Sequence, residues 1–358
     1  MKAKLLDYLI CPECQGDLTL QTAEQDGIEI MSGQLTCDRC QRAFPIVRGI
    51  PRFADLQKID AEKQATADKF GWSWQQFTQE DEKYDEEFLG WIAPVQPEFF
   101  KDKVVLEGGC GKGRHTRRVA GWGARDIVAV DLSAAVEVAF AATRGIENAH
   151  VIQADLYHLP LGRFFDYAFS VGVLHHLPDP RAGFRSLVSR VKPGGHASAW
   201  VYGAENNQWI IRFVNPLREH VTSRMPSRLL FHLAKAPTAL MYLASKLLYG
   251  PLNRSEGGRS VAQHLFYNEY MEFVSGFNWR EQHNIVFDHL VAPTAFYISG
   301  EEFQEWWQDI HATEVVIGWR NKNSWRGFGR VSGLPESSFN VSQTVQSANV
   351  WSSEEEAD

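Results

Sequence analysis

Four cysteines form two pairs, Cys11-x-x-Cys14 and Cys37-x-x-Cys40, with 22 residues between them. Each C-x-x-C unit is a tight turn that presents two sulfurs to one metal. Two such turns complete a tetrahedral four-thiolate zinc site. Pro12 and Gly16 suit the first turn. The competing readings are two disulfides or a redox-active pair. Disulfides belong to secreted chains, and the start, MKAKLLDYLICPEC, lacks the apolar stretch and cleavage site of a signal peptide. A redox C-x-x-C follows a strand and opens a long helix, and neither pair does. Four protein ligands leave no position for water, so the expected ion is structural. The fifth cysteine, Cys110, reads as a small packing residue.

A second set of residues suits a nucleoside ligand. The run Val105-Leu106-Glu107-Gly108-Gly109-Cys110-Gly111-Lys112-Gly113 joins an apolar strand to a helix. Glycines there let the backbone turn sharply and let a ligand approach it. Glu107 ends the first strand and can attract an ammonium group. Asp131 ends the second strand, 24 residues later, where an acid can accept both ribose hydroxyls. Asp155 follows the third strand, where it can accept from an adenine amine or cap a helix. Phosphate binders seldom place an acid at the head of a glycine loop. A ligand with a cationic amino-acid end, a ribose and an adenine matches the set, and S-adenosylmethionine is such a ligand.

The motifs EGGCGKG (107–113), VAVDLS (128–133), QADL (153–156), FDYAFSVGVLHHL (165–177) and VKPGGH (191–196) resemble those of class I methyltransferases, especially the type 11 group, over about residues 100–202. The resemblance implies that Glu107, Gly109 and Gly111 cradle the methionine end. It implies that Asp131 and Leu132 hold the ribose and adenine, that Asp155 and Leu156 hold the adenine edge, and that Val171 lies beside the sulfonium. Residues 2–55, with both knuckles and FPIVRGIP, are similar to the short zinc ribbons that act as methyltransferase activators. Such ribbons often partner, or are fused to, methyltransferases.

Methyl transfer is an in-line displacement at an already activated methyl group. The protein must align the acceptor and, for O or N acceptors of high pKa, remove a proton. His175 and His176, just past the fourth strand, are candidate bases, with a structural or cofactor-lining role as the alternative. Asp288 and His289 lie in FDHLVAPTAFY (287–297), which resembles a loop of type 11 enzymes. They are expected either to reach the acceptor or to order that loop.

These residues need a scaffold. Strands are expected at 103–107, 126–131, 150–154, 165–171 and 196–201, alternating with helices at about 114–121 and 134–143. That alternation implies an α/β, doubly wound, parallel Rossmann-like sheet. A late strand is expected at 311–319, and Ser299 with Glu302 forms a capping box that starts a helix. Residues 1–55 are read as the ribbon, 56–100 as a helical linker and 101–331 as the catalytic domain. The tail, 332–358, is Ser- and Glu-rich and expected to be disordered. Between 203 and 268 the alternation stops. Eight Lys/Arg stand there against three Glu, a net of +5, with apolar residues at helical spacing. A helical cap over the active site fits; a packing or oligomer face, and peripheral contact with a lipid surface, are the alternatives.

Over 358 residues, 36 basic and 44 acidic side chains leave a net charge of −8. That weighs against a nucleic-acid partner, since phosphates reward basic surfaces. No apolar run reaches the length of a membrane span, and a cytoplasmic, reducing home is expected. The reading is a methyltransferase with S-adenosylmethionine and structural Zn2+, acting on a small or lipid-like metabolite. The alternatives are an RNA (rRNA or tRNA) methyltransferase and a non-catalytic cofactor-binding adaptor.

Overall fold

A computed structural model of the chain describes residues 1–54, 59–77 and 84–332. The tail read as disordered lies almost wholly outside the described residues, as does part of the acidic stretch 80–87. The N-terminal sheet is antiparallel and runs β1 (Leu18–Asp26), β2 (Glu29–Cys37), β3 (Ala43–Val47), β4 (Ile50–Pro51). It has no core of its own. Leu5, Leu35, Phe44 and Ile46 pack in one apolar cluster with Leu161 and Phe165 of the following domain.

Polar groups tie the two parts together. Tyr8 donates to Asp126 at 2.6 Å, Lys4 pairs with the same carboxylate at 2.7 Å, and His150 meets it at 3.1 Å. Burial raises Asp126, but His150, Lys4 and Tyr8 outweigh it and hold the carboxyl down to about 2. The ribbon is thereby fastened to the outer edge of the large sheet, where Phe53 N–H donates to Gln153.

Two helices follow, α1 (Ala61–Gln76) and α2 (Tyr84–Ile92). Asp60 caps α1 by accepting from the amides of Glu62 and Lys63. The large sheet then begins with β5 (Val104–Gly108), fully buried as its apolar run requires. It continues through α3 (Arg114–Gly121), β6 (Asp126–Asp131), α4 (Val136–Thr143), β7 (Ala149–Gln153), β8 (Phe165–Val171), α5 (Pro180–Val188) and β9 (Val191–Tyr202). Strands β5 to β9 pair in parallel. The chain steps outward through β6 and β7, then returns to place β8 on the other side of β5. Ligands bind at that reversal, beyond the carboxyl ends of the strands.

After β9 come the cap helices: α6 (Asn215–His220), α7 (Ser227–Leu233), α8 (Lys235–Ala244), α9 (Gly250–Arg254), α10 (Glu256–Ala262), α11 (Asn268–Ser275) and α12 (Trp279–Val291). The cap is longer than expected, and 287–291, read as part of a loop, belongs to α12. Pro293 ends the helix rather than defining the segment. Phe287 and Val291 of α12 pack on Leu230, Ala234 and Phe77. The outer faces stay in solvent, with Phe213 at 68% and Leu240 at 73% exposure. No described helix is long and apolar enough to cross a membrane.

Last come α13 (Gly300–Asp309), β10 (Thr313–Arg320) and β11 (Ser324–Arg330). Ser299 caps α13 as its spacing requires, accepting from the Glu302 amide at 3.1 Å. The five expected strands form the parallel part of the sheet, and the late strands add an antiparallel edge. The order of the sheet is β10-β11-β9-β8-β5-β6-β7, with β11 antiparallel to both β9 and β10.

Candidate metal centre and donor cavity

The four cysteine sulfurs lie within 4.8 Å of one another. Cys14 and Cys37 are 3.4 Å apart, and Cys11 and Cys40 are 3.6 Å apart. None is in a disulfide. A tetrahedral ion with bonds of ~2.3 Å asks for sulfur separations of ~3.8 Å, so the residues fit zinc. The amide of Cys40 approaches the Cys37 sulfur at 3.4 Å and draws that thiol down to about 7. Gly16 makes room for the set. A Cβ there would stand 2.8 Å from Arg39 Cβ and 3.1 Å from the Cys37 sulfur.

At the carboxyl edge of the large sheet lies a cavity of about 260 Å3. Gly109, Gly111, Asp131, Leu132, Leu156 and Val171 all line it. Gly109 has φ +80°, and a Cβ would fall 2.3 Å from Val173. Only glycine meets both demands. The Gly111 amide donates to Asp131 at 2.8 Å, and Ser133 donates to the other oxygen through its amide and hydroxyl. The loop and the acid at the end of β6 are thus one hydrogen-bonded unit.

Two expected contact residues are placed otherwise. Glu107 stands behind the wall, because α3 claims its oxygens: Thr116 donates at 2.5 Å and His115 lies at 3.2 Å. Burial pushes its carboxyl up to about 8, which withdraws the charge expected to attract an ammonium group. Asp155 is ion-paired with Lys63 of α1, whose ammonium also sits 3.8 Å from the centre of the Tyr157 ring. Burial opposes the charge on Asp155, yet His158 and Lys63 hold the carboxyl down to about 2. The same burial lowers Lys63, so desolvation takes back part of what the pairing contributes.

The other end of the cavity is built by the cap and by α1 and α2. Tyr84, Trp91, Trp200, Tyr202, Tyr270 and Phe273 supply aromatic surface, and Glu281, Asn284, Asp288 and His289 supply polar groups. Asp288 projects from α12 and accepts from Ser73 of α1 at 3.0 Å. Burial pushes its carboxyl up to about 7; Ser73, Arg114 and Lys112 pull it down, and Glu281 pushes it up. Of the paired histidines, only His176 lines the cavity. Its Nδ1 lies 2.6 Å from the Thr294 carbonyl, while His175 is sealed against Tyr202 at 3.9 Å between ring centres. Burial lowers both, His176 to about 3. Such histidines are neutral and poor bases at neutral pH. Lys63, Trp74, Glu281 and Tyr297 were not anticipated. The visible signal for Trp74 was its clustering with Phe70, Trp72 and Phe77 in the sequence.

Comparison with known proteins agrees with the two-part layout. Residues 106–199 match the family model described as a methyltransferase domain, and residues 2–49 that described as a Trm112p-like protein. A tRNA U34 carboxymethyltransferase of Sodalis glossinidius is 30% identical over 194 residues, 53% of this chain and 51% of that protein. Its counterpart in Pseudoalteromonas translucida is 36% identical over 98 residues, 26% of this chain and 30% of that protein. The chain thus spans about half the length of these relatives, or less. A solved complex of the Haloferax volcanii Trm112 methyltransferase activator with a methyltransferase is 15% identical, covering 75% of this chain and 99% of that chain at a TM-score of 0.44.

The relatives correct two expectations, the small or lipid-like acceptor and the exclusion of nucleic acid as a partner, because the proteins that match are named for a tRNA nucleotide. Net charge misled here. Phosphate binding needs only a local basic face, which a sum over the whole chain does not test. A Trm112p-like domain and an S-adenosylmethionine-dependent methyltransferase domain on a Rossmann-like sheet are joined in this one chain.

Proposed function

We propose that this protein transfers a methyl group from S-adenosylmethionine to a nucleotide of RNA, with tRNA as the class. The observation that carries the reading is the shape of the shared cavity. One end holds the glycine loop and Asp131, and the other is walled by aromatic rings beside a carboxyl group that titrates near neutrality. A base taken out of its stack is read by rings of this kind. Exposed Arg212, Arg224, Arg228, Lys235, Arg254 and Arg259 of the cap give the phosphates a local counter-charge.

When bound, the donor supplies a methyl group on a sulfonium whose charge activates it. In this reading Gly109 and Gly111 let its methionine end approach the backbone, Asp131 accepts the ribose hydroxyls, Leu132 and Leu156 flank the adenine, and Val171 lies beside the sulfonium. Glu107 orders α3 from behind, and Asp155 holds α1 down through Lys63. Asp288 is the base. Its carboxyl matches a proton abstraction near pH 7 far better than His176 does. Sulfurs kept reduced for zinc imply a cytoplasmic home.

The test is genetic. Transfer RNA from cells lacking the gene should miss one methylated nucleoside that the parent carries, as read by mass spectrometry of digested RNA. Identical nucleoside profiles from tRNA and rRNA of both strains would contradict the reading.

A further inference from the structure

Near the cap end of the cavity, four buried polar atoms have no hydrogen-bond partner among the described residues: Arg218 Nε, His289 Nδ1 and both ring nitrogens of His175. They share one neighbourhood. The Tyr202 ring stacks on His175 and has its centre 5.2 Å from that of His289 and 5.7 Å from that of Tyr297. The Arg218 guanidinium lies against the Tyr297 hydroxyl. Burial, reinforced by the charge of Arg218, lowers His289 to about 4. The surrounding histidines are therefore neutral, and each keeps one N–H to donate.

Arg218 is 1% exposed. Its Nη2 donates to the Ala295 carbonyl at 3.3 Å, and the carboxylate nearest to it, Glu219, is half-exposed and 3.9 Å away. A buried guanidinium without a close counter-charge is unfavourable, and an apolar side chain of similar volume would pack there at lower cost. A buried guanidinium that meets one backbone carbonyl and one hydroxyl, with no close carboxylate, has N–H groups to spare for an anionic acceptor. Tyr297 also lines a second, open depression with Asn215, Ser223, Arg224 and Thr294, and with the carboxylates Glu62 and Glu219.

We propose that Arg218 and Tyr297, backed by His175 and His289, form a subsite for an oxyanion carried by the acceptor. On the RNA reading, on which this assignment rests, the oxyanion is the phosphate flanking the target nucleoside. Bidentate guanidinium–phosphate contacts are strong and geometrically selective.

The test is calorimetry on the full chain saturated with S-adenosylhomocysteine, titrated with inorganic phosphate, acetate, uridine and uridine 5′-monophosphate. The wild type should bind the monophosphate at least about tenfold more tightly than uridine. Arg218→Met should lose that advantage, and Arg218→Lys should keep part of it. All variants should retain the affinity for S-adenosylhomocysteine. Should Arg218→Met fail to fold, Tyr297→Phe removes one donor at nearly constant volume and should reduce the advantage several-fold.

If Arg218→Met or, in its place, Tyr297→Phe keeps the full monophosphate preference, the subsite is overturned while the RNA reading stands. If neither uridine compound binds, but phosphate binds the wild type and not Arg218→Met, the subsite stands and the RNA reading falls. Loss of acetate binding alone would assign the corner to a carboxylate and overturn the phosphate.

Discussion

Asp288 is the base of the proposed reaction. It was read as one of several candidates in a loop, yet it sits on a helix and lines the cavity, and burial pushes its carboxyl up to about 7. The sign of its pH effects follows. A base must be ionised, so the rate should be low well below pH 7 and rise through about 7. Asp288→Asn should flatten that rise and cut kcat by about 10²–10⁴ with little change in KM. A pH–rate series on both proteins checks this. Stability moves the other way: the unfolded carboxyl ionises near 4, so the folded state loses this contribution as pH climbs from about 4 to 7. Gly16 is as exacting. Gly16→Ala drives a methyl group against the Cys37 sulfur and Arg39. Zinc content per chain, read by elemental analysis, should fall, and the unfolding temperature with it. The cysteines were legible because spacing alone defines their geometry. Glu107 and Asp155 were legible as acids at strand ends, but not as acids already satisfied by His115, Thr116 and Lys63.

At the level of elements, the parallel strands were readable because strands covered on both faces must be apolar runs, as Val104–Gly108 and Asp126–Asp131 are. Of the antiparallel edge, β10 was read as the late strand at 311–319, but β11 was not. Ser324–Arg330, SWRGFGR, has no such run, since its glycines give way to Trp307 and its neighbour β10 is largely exposed. Helix α1 was read as a linker because its sequence has no clean apolar stripe. Its partners explain it: Lys63 pairs with Asp155, Ser73 meets Asp288, and Trp74 lies over Gly111. It lines the cavity with Lys63, Phe70 and Trp74. Lys63→Met should leave Asp155 buried without its cation and lower stability by about 3–5 kcal/mol at pH 7. The loss should shrink as pH falls through about 2, where the carboxyl protonates. Chemical denaturation at several pH values measures it, and an unchanged midpoint at pH 7 would show that the pair carries no weight.

For the molecule as a whole, reaction class and acceptor are written in different ways. The class rests on backbone turns and strand-end acids that must recur in order, so it could be read. The proposed acceptor end rests on a cavity whose walls come from α1, α2, β9, α11 and α12, far apart in sequence, and on a cap whose charge is opposite to the total of −8. The ribbon shares one apolar core with the large sheet. The most direct measurement is in vitro transfer from tritiated S-adenosylmethionine, with unfractionated tRNA and an RNA-free metabolite extract offered separately. Label should enter tRNA in a single modified nucleoside, vanish with ribonuclease, and fall at least about tenfold at limiting donor with Asp131→Ala, which removes the ribose acceptor. Label entering the metabolite extract while tRNA stays unmodified would contradict the assignment.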